Sequence, residues 1–169
     1  TVILANEEEQ KIPIFMSQLI EKTGVDFILS TPSKLELLLA EENAKQILEK
    51  VKIIQVGGEV FTPSLYENLR ARTKAHIYNG YGPSECSACC SSKELTSSNI
   101  SIGTPFCNTK IYICNKDLVQ LPIGFEGEIC VAGDGVGKGY LNNEENTKKS
   151  FVENPFGKGK LYRTGDIAR

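Results

Sequence analysis

The stretch VKIIQVGGEVFTPSLYENLRARTKAHIY, residues 51–78, decides the fold class. It opens on the apolar run Val51–Val56, which Gly57-Gly58 breaks. Thr62-Pro63 then reads as a helix start, because proline is tolerated at the first helical position. Leu65, Tyr66 and Leu69 fall on one face of that helix. Ala75–Tyr78 is a second extended run. Two strands joined through a helix of this length can only be parallel, since a parallel pair needs a crossover. Working outward toward the N-terminus, Val25–Leu29 reads as a further strand, expected to be buried. Pro13 opens a helix with Phe15, Met16, Leu19 and Ile20 on one face, and Thr23-Gly24 ends it. Ser33-x-x-Glu36 has capping-box spacing ahead of Leu37, Leu38 and Leu39. Asn43 is placed to cap a helix carrying Ile47 and Leu48.

Toward the C-terminus the pattern changes near Leu95–Ser101, a stretch with several serines. Lys110–Cys114, Gly127–Ala132 and Leu161–Arg163 read as short strands, and Asn115-Lys116-Asp117 as a hairpin turn. Gly133, Gly135, Gly137 and Gly139 punctuate a loop, and Asn143–Phe151 has room for one or two helical turns. The expected class is α/β. A parallel βαβ part spans residues 1–96, and a small β-rich part, a sheet or distorted barrel, spans 97–169.

The chain has 169 residues, of which 40% are hydrophobic and 24% charged, as in an ordinary globular protein. Lys+Arg is 19 and Asp+Glu 21, a net charge of −2. That excludes a strong electrostatic footprint for a nucleic-acid polymer or an anionic membrane. No apolar run reaches membrane-spanning length. The single histidine, His76, argues against multi-histidine chemistry. The 6 cysteines, with Cys86-x-x-Cys89 the only close-spaced CxxC pair, are read as reduced packing residues in a cytoplasmic protein.

Open α/β sheets bind ligands beyond the carboxyl ends of their strands. Two segments lie at such ends: Gly57-Gly58-Glu59, and Asn79-Gly80-Tyr81-Gly82-Pro83-Ser84-Glu85. Their glycines allow close backbone approach. The second adds an aromatic plane, a hydroxyl and a carboxylate, an inventory that suits a nucleotide with Mg²⁺. A Gly-Pro turn with polar surface residues is the plainer reading, and local chemistry leaves both open. The glycine run 133–139 is not a phosphate-binding loop, because Lys138 is followed by Gly139 rather than Ser or Thr.

Residues 79–85 resemble the N-x-Y-G-P-T-E motif of the adenylation domains of nonribosomal peptide synthetases. Gly127–Gly133 followed by Gly137-Lys138-Gly139-Tyr140 resembles that family's G-E-L-x-I-x-G…A-R-G-Y motif, and Tyr162–Asp166 its Y-R-T-G-D motif. Ile102–Pro105 with Asn108-Thr109 resembles its I-G-x-P-x-x-N-T connection. The motifs stand in the family's order along essentially the whole chain. The resemblance implies roles. Asn79 and Tyr81 would contact and stack adenine, with Gly57, Gly58 and Gly82 beside the nucleotide. Ser84, where threonine is usual, would bond the α-phosphate, and Glu85 would hold Mg²⁺. Asp166 would accept from the two ribose hydroxyls. Ser30, Gln55, Gly57, Gly80, Ala88 and Cys89 would line an amino-acid pocket.

The implied reaction is ATP-dependent formation of an aminoacyl adenylate. A carrier domain's phosphopantetheine thiol then captures it, with condensation domains as further partners in making peptides such as antibiotics. The family's upstream phosphate loop and its C-terminal lysine are not in this sequence. With Thr1 in place of Met, the chain is therefore expected to be an internal fragment with little activity alone. An acyl- or aryl-CoA synthetase, or a noncatalytic module of the same fold, are the alternatives.

Overall fold

Ile54, Val56 and Ile77 are fully shielded from solvent while their strand neighbours Ile53, Gln55 and Tyr78 are only half-buried. This period-2 pattern is that of a sheet packed on helices across one face. The computed structural model describes residues 1–169 and divides into two units that interleave along the chain. The first unit is Thr1–Gly80 with Lys93–Gly103, and the second is Tyr81–Ser92 with Thr104–Arg169.

The first unit runs α1 (Glu7–Lys11), α2 (Pro13–Thr23), β1 (Phe27–Ser30), α3 (Pro32–Leu39), α4 (Ala44–Leu48), β2 (Ile53–Gly57), α5 (Pro63–Arg70) and β3 (His76–Tyr81), whose last residue belongs to the second unit. β1, β2 and β3 pair in parallel, as the crossover argument requires. β4 (Ser91–Glu94) follows β3 in strand order, and Leu95 N–H just past its end donates to the Ile77 carbonyl at 2.7 Å. Leu35, Leu38, Leu48, Ile54, Val56, Leu65, Leu69 and Ile77 form the core between helices and sheet.

Several helix starts have local causes. Thr62 Oγ1 accepts from Leu65 N–H at 3.2 Å and Pro63 follows it, so α5 begins as expected. α3 does not. Its N-cap is Thr31, followed by Pro32, and Ser33 is already inside the helix. Ser33 gives its N–H and its hydroxyl to the Glu59 carboxylate, at 3.0 and 2.8 Å. An anion from another segment satisfies the helix start, in place of a capping box within the helix. Those bonds hold the Glu59 carboxyl below its usual range. Asn43 stands at the N-cap of α4 without a side-chain hydrogen bond. On α2 the buried face is Ser17 and Ile20, while Phe15 is exposed. β1 is not buried as its composition implied: Phe27 is 48% and Leu29 69% exposed.

The second unit pairs β4 antiparallel with β5 (Thr104–Pro105). A separate sheet is formed by β6 (Thr109–Cys114), β7 (Gly127–Gly133), β8 (Phe151–Glu153) and β9 (Lys160–Ala168), with α6 (Glu144–Ser150) between β7 and β8. Its order is β6-β7-β9-β8 and every pairing is antiparallel. β6 and β8 are the free edges, so the expected sheet or distorted barrel is an open sheet. Cys114, Cys130, Ala132 and Leu161 are its buried centre. Asn115 makes the turn after β6 by accepting from Asp117 N–H and Val119 N–H. Phe151, expected in a helical turn, instead begins β8.

Candidate functional site

In the second unit the chain leaves β3 at Tyr81 and turns at once. Gly82 lies so close to the returning backbone that a Cβ there would sit 2.5 Å from Cys89 Cα. Cys90 N–H donates to the Tyr81 carbonyl at 2.8 Å and closes the turn. Between them Ser84–Cys86 form one 3-10 turn, entered through Pro83. Ser87 and Ala88 carry positive φ angles of 59° and 70°. The loop is thus folded back on itself, with Ser84 exposed and Glu85 half-buried.

Two side chains fix the functional groups of this loop. The Tyr81 hydroxyl donates to Asp166 Oδ2 at 2.5 Å. Burial, and then the bond to Asp166, push that phenol well above its ordinary pKa, so it stays a donor. The Tyr140 hydroxyl donates to Glu85 Oε1 at 2.6 Å and lies 3.4 Å from the Tyr162 hydroxyl. The Tyr140 bond holds the Glu85 carboxyl below its usual range, so the group is an anion at neutral pH. Gly137 N–H donates to the Glu85 carbonyl at 2.8 Å, which ties the glycine run 133–139 to this loop.

Asp166 sits on an irregularity of β9. Glu128 pairs with Ile167 and Cys130 with Arg163, so one residue of β7, Ile129, faces three of β9. The extra length bulges at Thr164-Gly165-Asp166, with Gly165 at φ 79°. Arg163 Nε–H and Nη2–H both donate to one oxygen of Glu128, Oε2, at 3.0 and 2.6 Å.

The first unit holds the remaining expected residues at the carboxyl ends of its parallel strands. Gln55, Gly57 and Gly80 share one sheet face, with Gln55 paired to Tyr78 and Gly57 to Gly80. A Cβ on Gly57 would meet the Gly80 carbonyl oxygen at 2.9 Å, so this strand approach suits glycine. Ser30 and Asn79 lie on the opposite face, both in register with Val56. Asn79 is buried and its Nδ2 donates to the Ser101 carbonyl at 2.9 Å. Gly58 follows β2 at φ 84°. Cys89, half-buried in the second unit, gives its thiol to the Ser91 carbonyl at 3.3 Å. His76 is exposed and bonded to Glu94, 2.5 Å away. All 6 cysteines are free.

Three residues carrying the site's geometry had no role assigned from sequence: Tyr140, Glu128 and Thr164. Each lies in a quoted motif; the partners of Glu128 and Thr164 are legible only once β7 and β9 are in register, and that of Tyr140 is Glu85, 55 residues away.

The first unit thus carries a parallel α/β sheet with glycines at its strand ends, and the second an aromatic–carboxylate pair. The profile of the family described as AMP-binding enzyme matches residues 1–141, and the chain belongs to that family. Among curated relatives it is 38% identical to the PKS-NRPS hybrid synthetase acdB of Aspergillus candidus over 98% of this chain and 7% of the relative. It is 38% identical to bacitracin synthase 1 of Bacillus licheniformis over 87% of this chain and 3% of the relative. Among solved structures, holo-AB3403, a four-domain nonribosomal peptide synthetase bound to AMP and glycine, matches with a TM-score of 0.87 at 27% identity, over 96% of this chain and 12% of that one. The Klebsiella oxytoca NpsA N-terminal subdomain, in complex with 3-hydroxyanthranilyl-AMSN, matches with a TM-score of 0.80 at 25% identity, over 98% of this chain and 40% of that one. The chain thus spans a small part of the length of the synthetases and less than half of the NpsA subdomain.

Proposed function

We propose that this chain is part of an amino-acid-activating adenylation domain of a nonribosomal peptide synthetase. The domain uses ATP and Mg²⁺ to make an aminoacyl adenylate. The observation that carries the reading is the 2.5 Å bond between Tyr81 and Asp166, residues 85 apart in sequence. It puts an aromatic plane beside a carboxylate with acceptor capacity to spare, which is what an adenosine requires: a stack for the base and a bidentate acceptor for the ribose. Membership in the AMP-binding family and the likeness to peptide synthetases support it.

On this reading Tyr81 stacks the adenine and Asp166 accepts from both ribose hydroxyls. Ser84 donates to the α-phosphate. Asn79, Gly57, Gly58 and Gly82 serve the nucleotide, and Ser30, Gln55, Gly57, Gly80, Ala88 and Cys89 the amino-acid pocket. Residues 1–96 are the α/β part of the domain's core and 97–169 its β-rich part. The amino-acid carboxylate oxygen bonds to the α-phosphorus as the bond to the β-phosphate bridge breaks, and pyrophosphate leaves. Glu85 suits Mg²⁺ as an ionised oxygen donor, since Mg²⁺ is commonly held by one or two carboxylates with substrate phosphates and water. The ion, when bound, would neutralise charge on the phosphates. Transfer to a carrier-domain phosphopantetheine, condensation-domain partners and a cytoplasmic setting complete the proposal. No helix is long and apolar enough to cross a membrane.

The test is Glu85→Gln in the complete adenylation domain. The Mg²⁺ concentration for half-maximal ATP use should rise about tenfold or more, with the melting temperature within a few degrees of wild type. A variant that unfolds, or one with unchanged Mg²⁺ dependence, makes Glu85 structural and removes it from the site. The isolated 169-residue chain should show little or no pyrophosphate exchange.

A further inference from the structure

We infer that Glu128 and Thr164 are positioning residues: they clamp the two-residue bulge of β9 and so aim the Asp166 carboxylate at the two ribose hydroxyls. The inference rests on the reading of Asp166 given above and assigns what holds that residue in place.

A bulge of this size interrupts the ladder and would leave backbone N–H groups without strand partners. Here the partners are supplied by two side chains. Glu128 Oε1 accepts from Gly165 N–H at 3.1 Å, while its Oε2 takes both nitrogens of Arg163. Thr164 Oγ1 donates to the Ile129 carbonyl at 2.8 Å and accepts from Asp166 N–H at 3.0 Å. Thr164 and Gly165, the two residues before Asp166, are therefore anchored to β7 at consecutive positions, 129 and 128. Glu128 is well sheltered, its side chain 16% exposed, and both of its oxygens are engaged, one by Gly165 and the other by Arg163. Asp166 is exposed, and none of these bonds uses its carboxylate. Only Tyr81 touches that group, through Oδ2. The clamp thus orders the backbone of an exposed loop and leaves the carboxylate available. For a group asked to meet two hydroxyls at once, that preorganisation lowers the cost of binding. A bulge that served only to repair the ladder would have no reason to affect ribose recognition.

The experiment is amino-acid-dependent ATP–pyrophosphate exchange by the complete adenylation domain, run with ATP and with 2′,3′-dideoxy-ATP. Glu128→Gln and Thr164→Ala should each raise KM for ATP about tenfold, the equivalent of one charge-assisted hydrogen bond. Both should leave kcat within about threefold and KM for the dideoxy analogue unchanged, so that ribose discrimination collapses. Thr164→Ser, which keeps the hydroxyl, should restore the wild-type ratio. If Glu128→Gln fails to fold, the Thr164→Ala and Thr164→Ser pair decides. Variants that keep the wild-type preference for ATP over the dideoxy analogue overturn the clamp while leaving Asp166 as the ribose ligand. A wild-type enzyme with no such preference overturns the ribose reading itself, and the clamp with it.

Discussion

Gly82→Ala is the sharpest single perturbation of the loop that carries Ser84 and Glu85. An added Cβ would lie 2.5 Å from Cys89 Cα, 2.6 Å from Cys90 N and 2.9 Å from the Cys89 carbonyl carbon. All three are backbone atoms, so no side-chain rotation relieves the clash. Reaching ordinary contact requires a movement of roughly 1 Å between residues 82 and 89–90. That movement stretches the 2.8 Å bond from Cys90 N–H to the Tyr81 carbonyl past hydrogen-bonding length. Overpacking of this kind costs about 1–3 kcal/mol. The lost bond adds about 0.5–1.5 kcal/mol. Restricting the unfolded chain returns about 0.4–1 kcal/mol. The net expectation is about 2–3 kcal/mol of destabilisation, a melting temperature lower by roughly 4–12 °C for a chain of this size. The assay is urea and thermal unfolding followed by circular dichroism, with Gly135→Ala as control. Gly135 has no atom nearer than 3.5 Å to the added Cβ, so its alanine should stay within about 1 kcal/mol of wild type. If Gly82→Ala is as stable as Gly135→Ala, the steric account of the loop is wrong.

Two further outcomes follow from the titrating groups. Burial pushes the Cys130 thiol up to about 12 and the Cys90 thiol to about 11, so the folded chain keeps protons that an unfolded chain releases near pH 9. The contribution of these thiols should be fully present below pH 9 and be lost as pH climbs from 9 toward 11–12; thermal melts across that range check it, and melts that stay level to pH 11 reject it. Tyr140→Phe removes the donor that holds Glu85 low, so a carboxyl NMR titration should show the Glu85 pKa rising. The wild-type bond stabilises above the ordinary carboxylate pKa and fades as pH falls through the folded value, so the variant should lose about 1 kcal/mol or less at neutral pH. A Glu85 titration identical in the two proteins would mean that the Tyr140 bond is not formed in solution.

The fold was most legible where local chemistry and packing agree. Thr62-Pro63 both starts α5 and leads into its buried Leu65, Tyr66 and Leu69, so residues 51–78 could be read without a structure. Reading failed where a partner came from elsewhere in the chain. Ser33 looked like a cap, but Thr31 and Pro32 start the helix and Glu59, 26 residues away, takes the hydrogen bonds of Ser33. Phe27 and Leu29 looked like core, yet their face of the sheet is uncovered in this unit. At the candidate site the motifs pointed to Tyr81, Glu85 and Asp166. They gave no hint of the bulge, because a register shift exists only between two strands, not within one sequence. Tyr140 and Glu128 were missed because their partners are 55 and 35 residues away.

The central claim is that the residues around Tyr81, Glu85 and Asp166 serve amino-acid activation. The most direct measurement is exchange of labelled pyrophosphate into ATP by the complete adenylation domain, across a panel of amino acids, for wild type and Asp166→Ala. The account predicts Mg²⁺-dependent exchange stimulated by one or a few amino acids, and a loss of about two orders of magnitude or more in kcat/KM for ATP in the variant. Exchange that no amino acid stimulates, or that answers only to carboxylic acids lacking an amino group, would contradict it.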